Sequence, residues 1–318
     1  MNFGEIIKAE ILGKHIKDSA TKKAFLSGFI RGTGALYEKD GETGLMFKVF
    51  GEDTLELVSQ YFSSLFDYEL REITAEEDRL NKKDRFTVFI NGDGAEEIIL
   101  SLGILKRERD GGYSVNFDFY SDLKSEEEFK AFIRGLFVSA GGCTVPSVGG
   151  GGTGYHLELV FFHPQTASRT SEVLASHGIK TRITRRKESY LAYIKSAEEI
   201  KDFIAFLPAP VSVLKFTDIM IDRELKNDSN RRKNCDLGNV TRQVEASMRQ
   251  AEEIDLLEKE GLLSSLKPEL AETARARRNF PEDTMTELAE RLSITKSCLN
   301  HRLRKISETA EKLKHKGN

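Results

Sequence analysis

The sequence predicts an α+β fold, a pseudo-symmetric αββαββα repeat domain followed by an all-α C-terminal domain. Two observations carry the prediction. An order of helix, strand, strand, helix, strand, strand, helix recurs along the chain, with Gly28 and Gly135 in equivalent places 107 residues apart. After Pro208 and Pro210 the period-two strand pattern stops, and everything beyond reads as helix or loop. A length of 318 residues is enough for two domains with cores of their own.

The first repeat, about 22–103, opens on a helix over Lys22–Thr33 and two strand-like runs, Ala35–Glu38 and Leu45–Phe50. Leu55, Val58, Tyr61, Phe62 and Leu65 then recur at helical spacing within Asp53–Phe66. Strands near Tyr68–Ile73 and Arg85–Ile90 precede a short helix from Ala95 to Leu102. The second repeat, about 126–207, has the same order: Glu126–Ser139, Cys143–Val148, Tyr155–Phe162, Pro164–His177, Lys180–Arg186, Tyr190–Lys195 and Ala197–Phe206. Together they define a domain over 1–209. Residues 210–234 are expected as a helix (Val211–Leu225) and a polar linker, Lys226–Asn234 (KNDSNRRKN). The remainder, 235–318, is expected to hold helices near Val240–Lys259, Lys267–Asn279, Thr284–Leu292 and Lys296–Leu313.

Composition narrows the function. No stretch approaches the roughly 18 apolar residues of a membrane span, and the start, MNFGEIIKAEILGKHIK, lacks the features of a signal peptide. A cytoplasmic protein that does not contact membrane is expected. Cys143, Cys235 and Cys298 are odd in number and far apart, which suits buried thiols better than disulfides or a metal clamp. His156-Leu157-Glu158 opens like a deaminase zinc motif, but no PCxxC follows. Gly149–Gly154 fits GxGxxG but leads into a strand, so a hairpin loop is expected there. No metal and no cofactor are therefore expected. Charge is uneven: residues 284–318 carry +4 while the whole chain carries −3, which concentrates phosphate-attracting potential at the C-terminal end.

The two leading helices carry a sharper signal. Leu26-Ser27-Gly28-Phe29-Ile30-Arg31-Gly32-Thr33-Gly34 and Ile133-Arg134-Gly135-Leu136-Phe137-Val138-Ser139-Ala140-Gly141 are similar to the LAGLIDADG motif of homing endonucleases. Gly28 and Gly32, and Gly135 and Ser139, lie one turn apart on a helix face and let two backbones approach closely. The closing glycine of each motif is expected to leave the helix in a left-handed conformation. The resemblance implies a saddle of two antiparallel sheets. It also implies an acid at the eighth motif position, where active members hold divalent metal. Here those positions are Thr33 and Ala140, so a catalytically dead domain is expected, with an active nuclease as the alternative. Arg182, Arg185 and Arg186, within KTRITRRK, are candidate secondary DNA contacts. The acidic Glu38–Glu42 and Glu76–Asp78 would repel phosphate, so a solvated strand face and a saddle turned to binding protein or a ligand are the alternatives.

Near the C-terminus, Asp283 or Thr284 is placed to cap a helix through Met285, Leu288, Ala289 and Leu292. Ser293-Ile294 forms a tight turn, and Thr295 caps a second helix from Lys296. This is a helix-turn-helix pattern, with Ala289 at the position of close approach and Arg302 where an apolar residue is usual. On the second helix Cys298, Leu299, Leu303 and Ile306 share one face, and Ser297, Asn300, His301 and Arg304 the other. The latter types suit base edges in a major groove, with Lys296, Arg302 and Lys305 flanking as phosphate contacts. Asn234-Cys235-Asp236, Asn239, Arg249-Gln250 and above all Lys296–Ile306 (KSCLNHRLRKI) make the chain resemble the WhiA family of bacterial regulators over nearly its whole length. That resemblance implies a nucleoid-associated transcription regulator of cell division, chromosome segregation or sporulation. It implies double-stranded DNA as partner, and RNA polymerase or another regulator as a further one.

Overall fold

The computed structural model describes residues 2–39, 41–78, 83–146 and 154–316. The chain divides into two compact units, Met1–Asp222 and Arg223–Asn318.

In the first unit α1 (Phe3–Leu12) precedes the first repeat: α2 (Ser19–Thr33), β1 (Ala35–Lys39), β2 (Glu42–Phe50), α3 (Glu52–Phe66), β3 (Glu72–Asp78), β4 (Lys83–Ile90) and α4 (Ala95–Ser101). A small hairpin of β5 (Leu105–Arg107) and β6 (Tyr113–Val115) leads to the second: α5 (Glu126–Ala140), β7 (Gly141–Thr144), β8 (His156–Phe161), α6 (Pro164–Ser176), β9 (Arg182–Arg186), β10 (Ser189–Ile194) and α7 (Ala197–Phe206). Each repeat builds one four-stranded antiparallel sheet in the same order, β1-β2-β4-β3 and β7-β8-β10-β9. The fold class and its pseudo-symmetry are thus as the sequence predicts.

Both repeats start from a capped helix. Asp18 accepts from the Thr21 amide at 2.8 Å, and Ser125 accepts from the Glu128 amide at 3.2 Å, each satisfying an otherwise unpaired donor of the first turn. Strand alternation then directs each sheet. Leu45, Phe47 and Val49 on β2, like Leu157, Leu159 and Phe161 on β8, are buried towards the helices, and the residues between them lie on the outer face.

The helices α2 and α5 meet at the centre with almost no side chain between them. A Cβ built on Gly28 would lie 2.7 Å from the Phe132 carbonyl carbon and closer still to its oxygen. On Gly135 it would lie 2.9 Å from both the Phe25 carbonyl carbon and the Phe29 nitrogen. Gly32 faces Ser139 and Ala140 in the same way, so all four packing residues sit on the seam. The closing glycines behave otherwise than expected. Gly34 (φ −83°) and Gly141 (φ −86°) leave their helices extended, not left-handed. Glycine is needed there because a Cβ would strike the preceding turn, 2.5 Å from the Ile30 oxygen and 2.6 Å from the Phe137 oxygen.

Three further expectations change. The run Lys226–Asn234 does not interrupt a helix: α8 (Pro210–Lys259) continues through it. Its residues are polar but include neither proline nor glycine, so nothing in them breaks the backbone ladder. Only Cys143 of the three thiols is buried, and burial pushes it up to about 12; Cys298 is half-buried and Cys235 is exposed. The strand expected over Cys143–Val148 is observed as β7, which begins at Gly141 directly off α5. The glycine run Gly149–Gly154 lies outside the described residues apart from Gly154.

The second unit comprises the later part of α8 with α9 (Pro268–Asn279), α10 (Met285–Arg291) and α11 (Lys296–Lys316). Its core joins Ile254 and Leu257 of α8 to Leu263, Ala274, Leu288, Leu299, Leu303, Ile306 and Ala310. Among the described residues no helix is long and apolar enough to cross a membrane.

Candidate nucleic-acid interface

The geometry of α10 and α11 is fixed at both ends of their connection. Thr284 accepts from the Glu287 amide at 3.2 Å while the Glu287 carboxylate accepts from the Thr284 amide at 2.8 Å, a reciprocal capping box. Asp283, the alternative cap, instead accepts from Arg291 Nε at 2.8 Å, and the Arg291 guanidinium lies 3.5 Å over the Phe280 ring. At the far end Ser293 takes φ +51°. Its amide donates to Glu290 O at 3.0 Å, and the Ile294 amide donates to Ala289 O at 2.9 Å. This is a Schellman turn with serine in the left-handed position. Thr295 then accepts from the Cys298 amide at 3.2 Å and starts α11.

This turn sets which face of α11 is free. Leu299, Leu303, Ile306 and Ala310 are buried against the unit, whereas Ser297, Asn300, His301 and Arg304 are exposed on the opposite side, with Lys296 and Lys305 also exposed. Arg304 Nε and Lys305 Nζ both donate to Glu308, at 3.2 and 2.8 Å. The Lys305 hydrogen bond, with Arg304 beside it, holds the Glu308 carboxyl below the usual carboxylate range. Arg302 does not belong to this surface. It turns towards α9, with Nη1 3.4 Å from both the Glu269 carbonyl and Thr273 Oγ1. At the position where an apolar residue is usual, its stem packs and its head reaches the neighbouring helix.

Arg277 supports the turn without standing out in the sequence as a site residue. It is 2% exposed, its Nη1 donates to Asp283 O at 2.8 Å and lies 3.4 Å from Ser247 Oγ, and its Nη2 contacts Met285 Sδ at 3.7 Å. Burial lowers its pKa from the ordinary arginine value, and Asp283 opposes the shift. It ties α8, α9 and the loop before α10 into one support for the turn. A signal was present in the helical spacing, since Arg277 falls three residues after Ala274 and seven after Leu270, on the apolar face of α9.

On the saddle the three candidate arginines separate. All of β9 is exposed at the sheet edge, but alternation puts Arg182 and Arg186 on the outer face and Arg185 on the other. Arg186 is engaged by Glu158, at 3.1 and 3.3 Å, with His156 3.1 Å from the same carboxylate. Arg185 bonds the Lys187 carbonyl at 3.1 Å. The outer face of the first sheet carries Tyr37, Phe89 and Glu72, joined through Asn91, whose Nδ2 donates to Tyr37 OH at 3.1 Å and to Glu72 at 2.8 Å.

At the two helix ends where the LAGLIDADG resemblance implies an acid, neither residue is one. Thr33 donates its hydroxyl to the Lys48 carbonyl at 2.9 Å, and Ala140 offers no oxygen. Among the described residues no group of three or more His, Cys, Asp or Glu is placed to hold a metal ion.

Comparison with known proteins agrees with this architecture. Three family models match in succession: the WhiA N-terminal LAGLIDADG-like domain over 19–105, the WhiA LAGLIDADG-like domain over 129–226, and the WhiA C-terminal HTH domain over 229–310. The chain belongs to the WhiA family. A relative from Clostridium acetobutylicum, named "Probable cell division protein WhiA", is 32% identical with all of both chains covered. One of the same name from Staphylococcus haemolyticus is 31% identical over 99% of this chain and 98% of its own. The crystal structure of full-length WhiA from Thermatoga maritima is similar in fold, with a TM-score of 0.56 at 23% identity, covering 98% of this chain and 99% of that one. The residues that set this WhiA chain's α10–α11 geometry all fall within the matched HTH segment.

Proposed function

We propose that this WhiA-family protein is a DNA-binding transcription regulator that reads a duplex through α11. The observation that carries the reading is the division of α11 itself. One face is buried, and the other presents Ser297, Asn300, His301 and Arg304 to solvent beside Lys296 and Lys305. An asparagine and an arginine on the face of a helix that can enter a major groove suit bidentate contacts to adenine and guanine; the two lysines suit phosphate. Arg302 serves as a positioning residue through α9, and Arg182 of β9 is the secondary contact that the saddle arrangement favours.

The proposed division of labour follows the expected boundaries: 1–209 as a non-catalytic saddle, 210–234 as connecting chain, and 235–318 as the DNA-binding domain. The name of its relatives supports a role in cell division, with chromosome segregation or sporulation in the same class. A second reading, the saddle as a protein-binding face for RNA polymerase or another regulator, is favoured by the Tyr37–Phe89 pair and Glu72 on its outer surface. Selecting preferred duplexes from a random pool, then measuring competition binding, tests the main reading. Asn300→Ala and Arg304→Ala should each weaken the selected site by roughly 1–3 kcal/mol and relax preference at one base position. Unchanged affinity and preference in both variants would remove α11 as the reading helix.

A further inference from the structure

The second unit contains a cavity of about 470 Å³ of which the reading of α11 uses only Lys296. It opens among α8, the start of α10 and the start of α11. Arg242, Arg277 and Lys296 line it, and none of its lining residues is a carboxylate. Gln250 and Thr286 complete the polar lining.

Two of these groups have bonding capacity left over. Arg277 is 98% removed from solvent with its Nη atoms engaged by the loop, yet its Nε has no partner. Gln250 Oε1 is also buried without a donor. Buried polar groups in folded proteins are nearly always paired, and two of the residues lining this cavity each keep one that is not. Its charge fixes the sign of a guest. Three cations line it with no carboxylate among them, the nearby Asp283 being held by Arg291, and an arginine fork beside a lysine is the donor set that phosphate oxygens accept from. The Gln250 carbonyl adds an acceptor, which a bare inorganic anion does not need and which a sugar hydroxyl or a base amino group supplies.

We propose that this cavity binds a nucleotide phosphate, with Arg242 and Lys296 on the phosphate and Gln250 on the nucleoside. The proposal rests on the reading of α11, because Lys296 begins that helix. The phosphate has two sources, the backbone of the duplex lying on α11 or a free mononucleotide whose presence alters DNA binding.

The test uses the full-length chain with Arg242→Gln, Gln250→Leu and, separately, Asn300→Ala, each checked for native circular dichroism. Affinity for the selected duplex and for an unrelated duplex is measured across salt concentration, and retention of adenosine monophosphate is measured by equilibrium dialysis without DNA. A backbone source predicts that Arg242→Gln weakens both duplexes by about 3- to 10-fold and makes the log–log salt slope shallower by about 0.9, with no nucleotide retained. A free nucleotide source predicts retention by the native chain that Arg242→Gln and Gln250→Leu each reduce at least tenfold. If both variants match the native chain in salt slope and in retention, the cavity is not a nucleotide site. Asn300→Ala separates the two ideas. An effect there with none at Arg242 or Gln250 overturns the cavity alone; an effect at Arg242 or Gln250 with none at Asn300→Ala, nor at Arg304→Ala, overturns the reading of α11 alone.

Discussion

Arg277 and Arg302 look alike in the sequence, two arginines on helices of the second unit, and the structure gives them different work from Arg304. Arg277 is enclosed and bonds the carbonyl of Asp283; Arg302 lies against α9; Arg304 stands in solvent and bonds Glu308. Position on the helix decides between them, since α11 exposes residues 297, 300, 301 and 304 while 299, 303 and 306 are buried. Arg302→Ala is therefore expected to lower stability by about 1 kcal/mol, through lost packing and two long hydrogen bonds. It should leave base preference unchanged. Urea denaturation together with site selection checks both halves, and a changed preference would return Arg302 to the reading face. The four exposed residues could be read directly from 100° spacing. Arg277 was harder to read, because an arginine on an apolar helix face is legible only when its burial is known.

At the scale of elements, periodicity located nearly every helix and strand of both repeats, because each has one buried face and its sequence must alternate accordingly. It missed the hairpin of β5 and β6, whose three-residue strands are too short to show a period. It also broke α8 at a polar run, where composition resembles a loop but no residue forbids helix. The glycines of α2 and α5 were legible by position, though not for every reason: Gly28 and Gly135 permit contact between helices, whereas Gly34 and Gly141 avoid a clash within one. Gly135→Ala should consequently cost about 1–3 kcal/mol or more, since a methyl group there meets backbone atoms that cannot rotate away. Chemical denaturation of the full chain measures it. A variant as stable as the native chain would mean that the seam is looser than its distances indicate.

For the whole molecule, the net charge of −3 hides a basic C-terminal end, and only division of the chain makes the candidate DNA surface visible. The saddle is less legible. Its fold follows from the repeat, but the character of its outer face depends on cross-strand pairs such as Arg186 with Glu158, which sequence spacing does not reveal. The helix ends at its centre offer only a hydroxyl already bonded to the Lys48 carbonyl and a methyl group. Supercoiled DNA incubated with the full chain and Mg²⁺ should remain uncut. Metal-dependent cleavage that disappears on substitution at Thr33 would contradict the non-catalytic reading.

The seam between α2 and α5 has a consequence for how such a protein can change over time. A saddle assembled from two identical chains must carry every substitution on both sides, so its two halves cannot specialise separately. Here both halves belong to one chain, and Gly28 meets Phe132 within it. Each sheet is then free to take its own surface chemistry, an arginine-bearing edge on one side and a Tyr37–Phe89–Glu72 face on the other, while the shared glycines keep the halves joined.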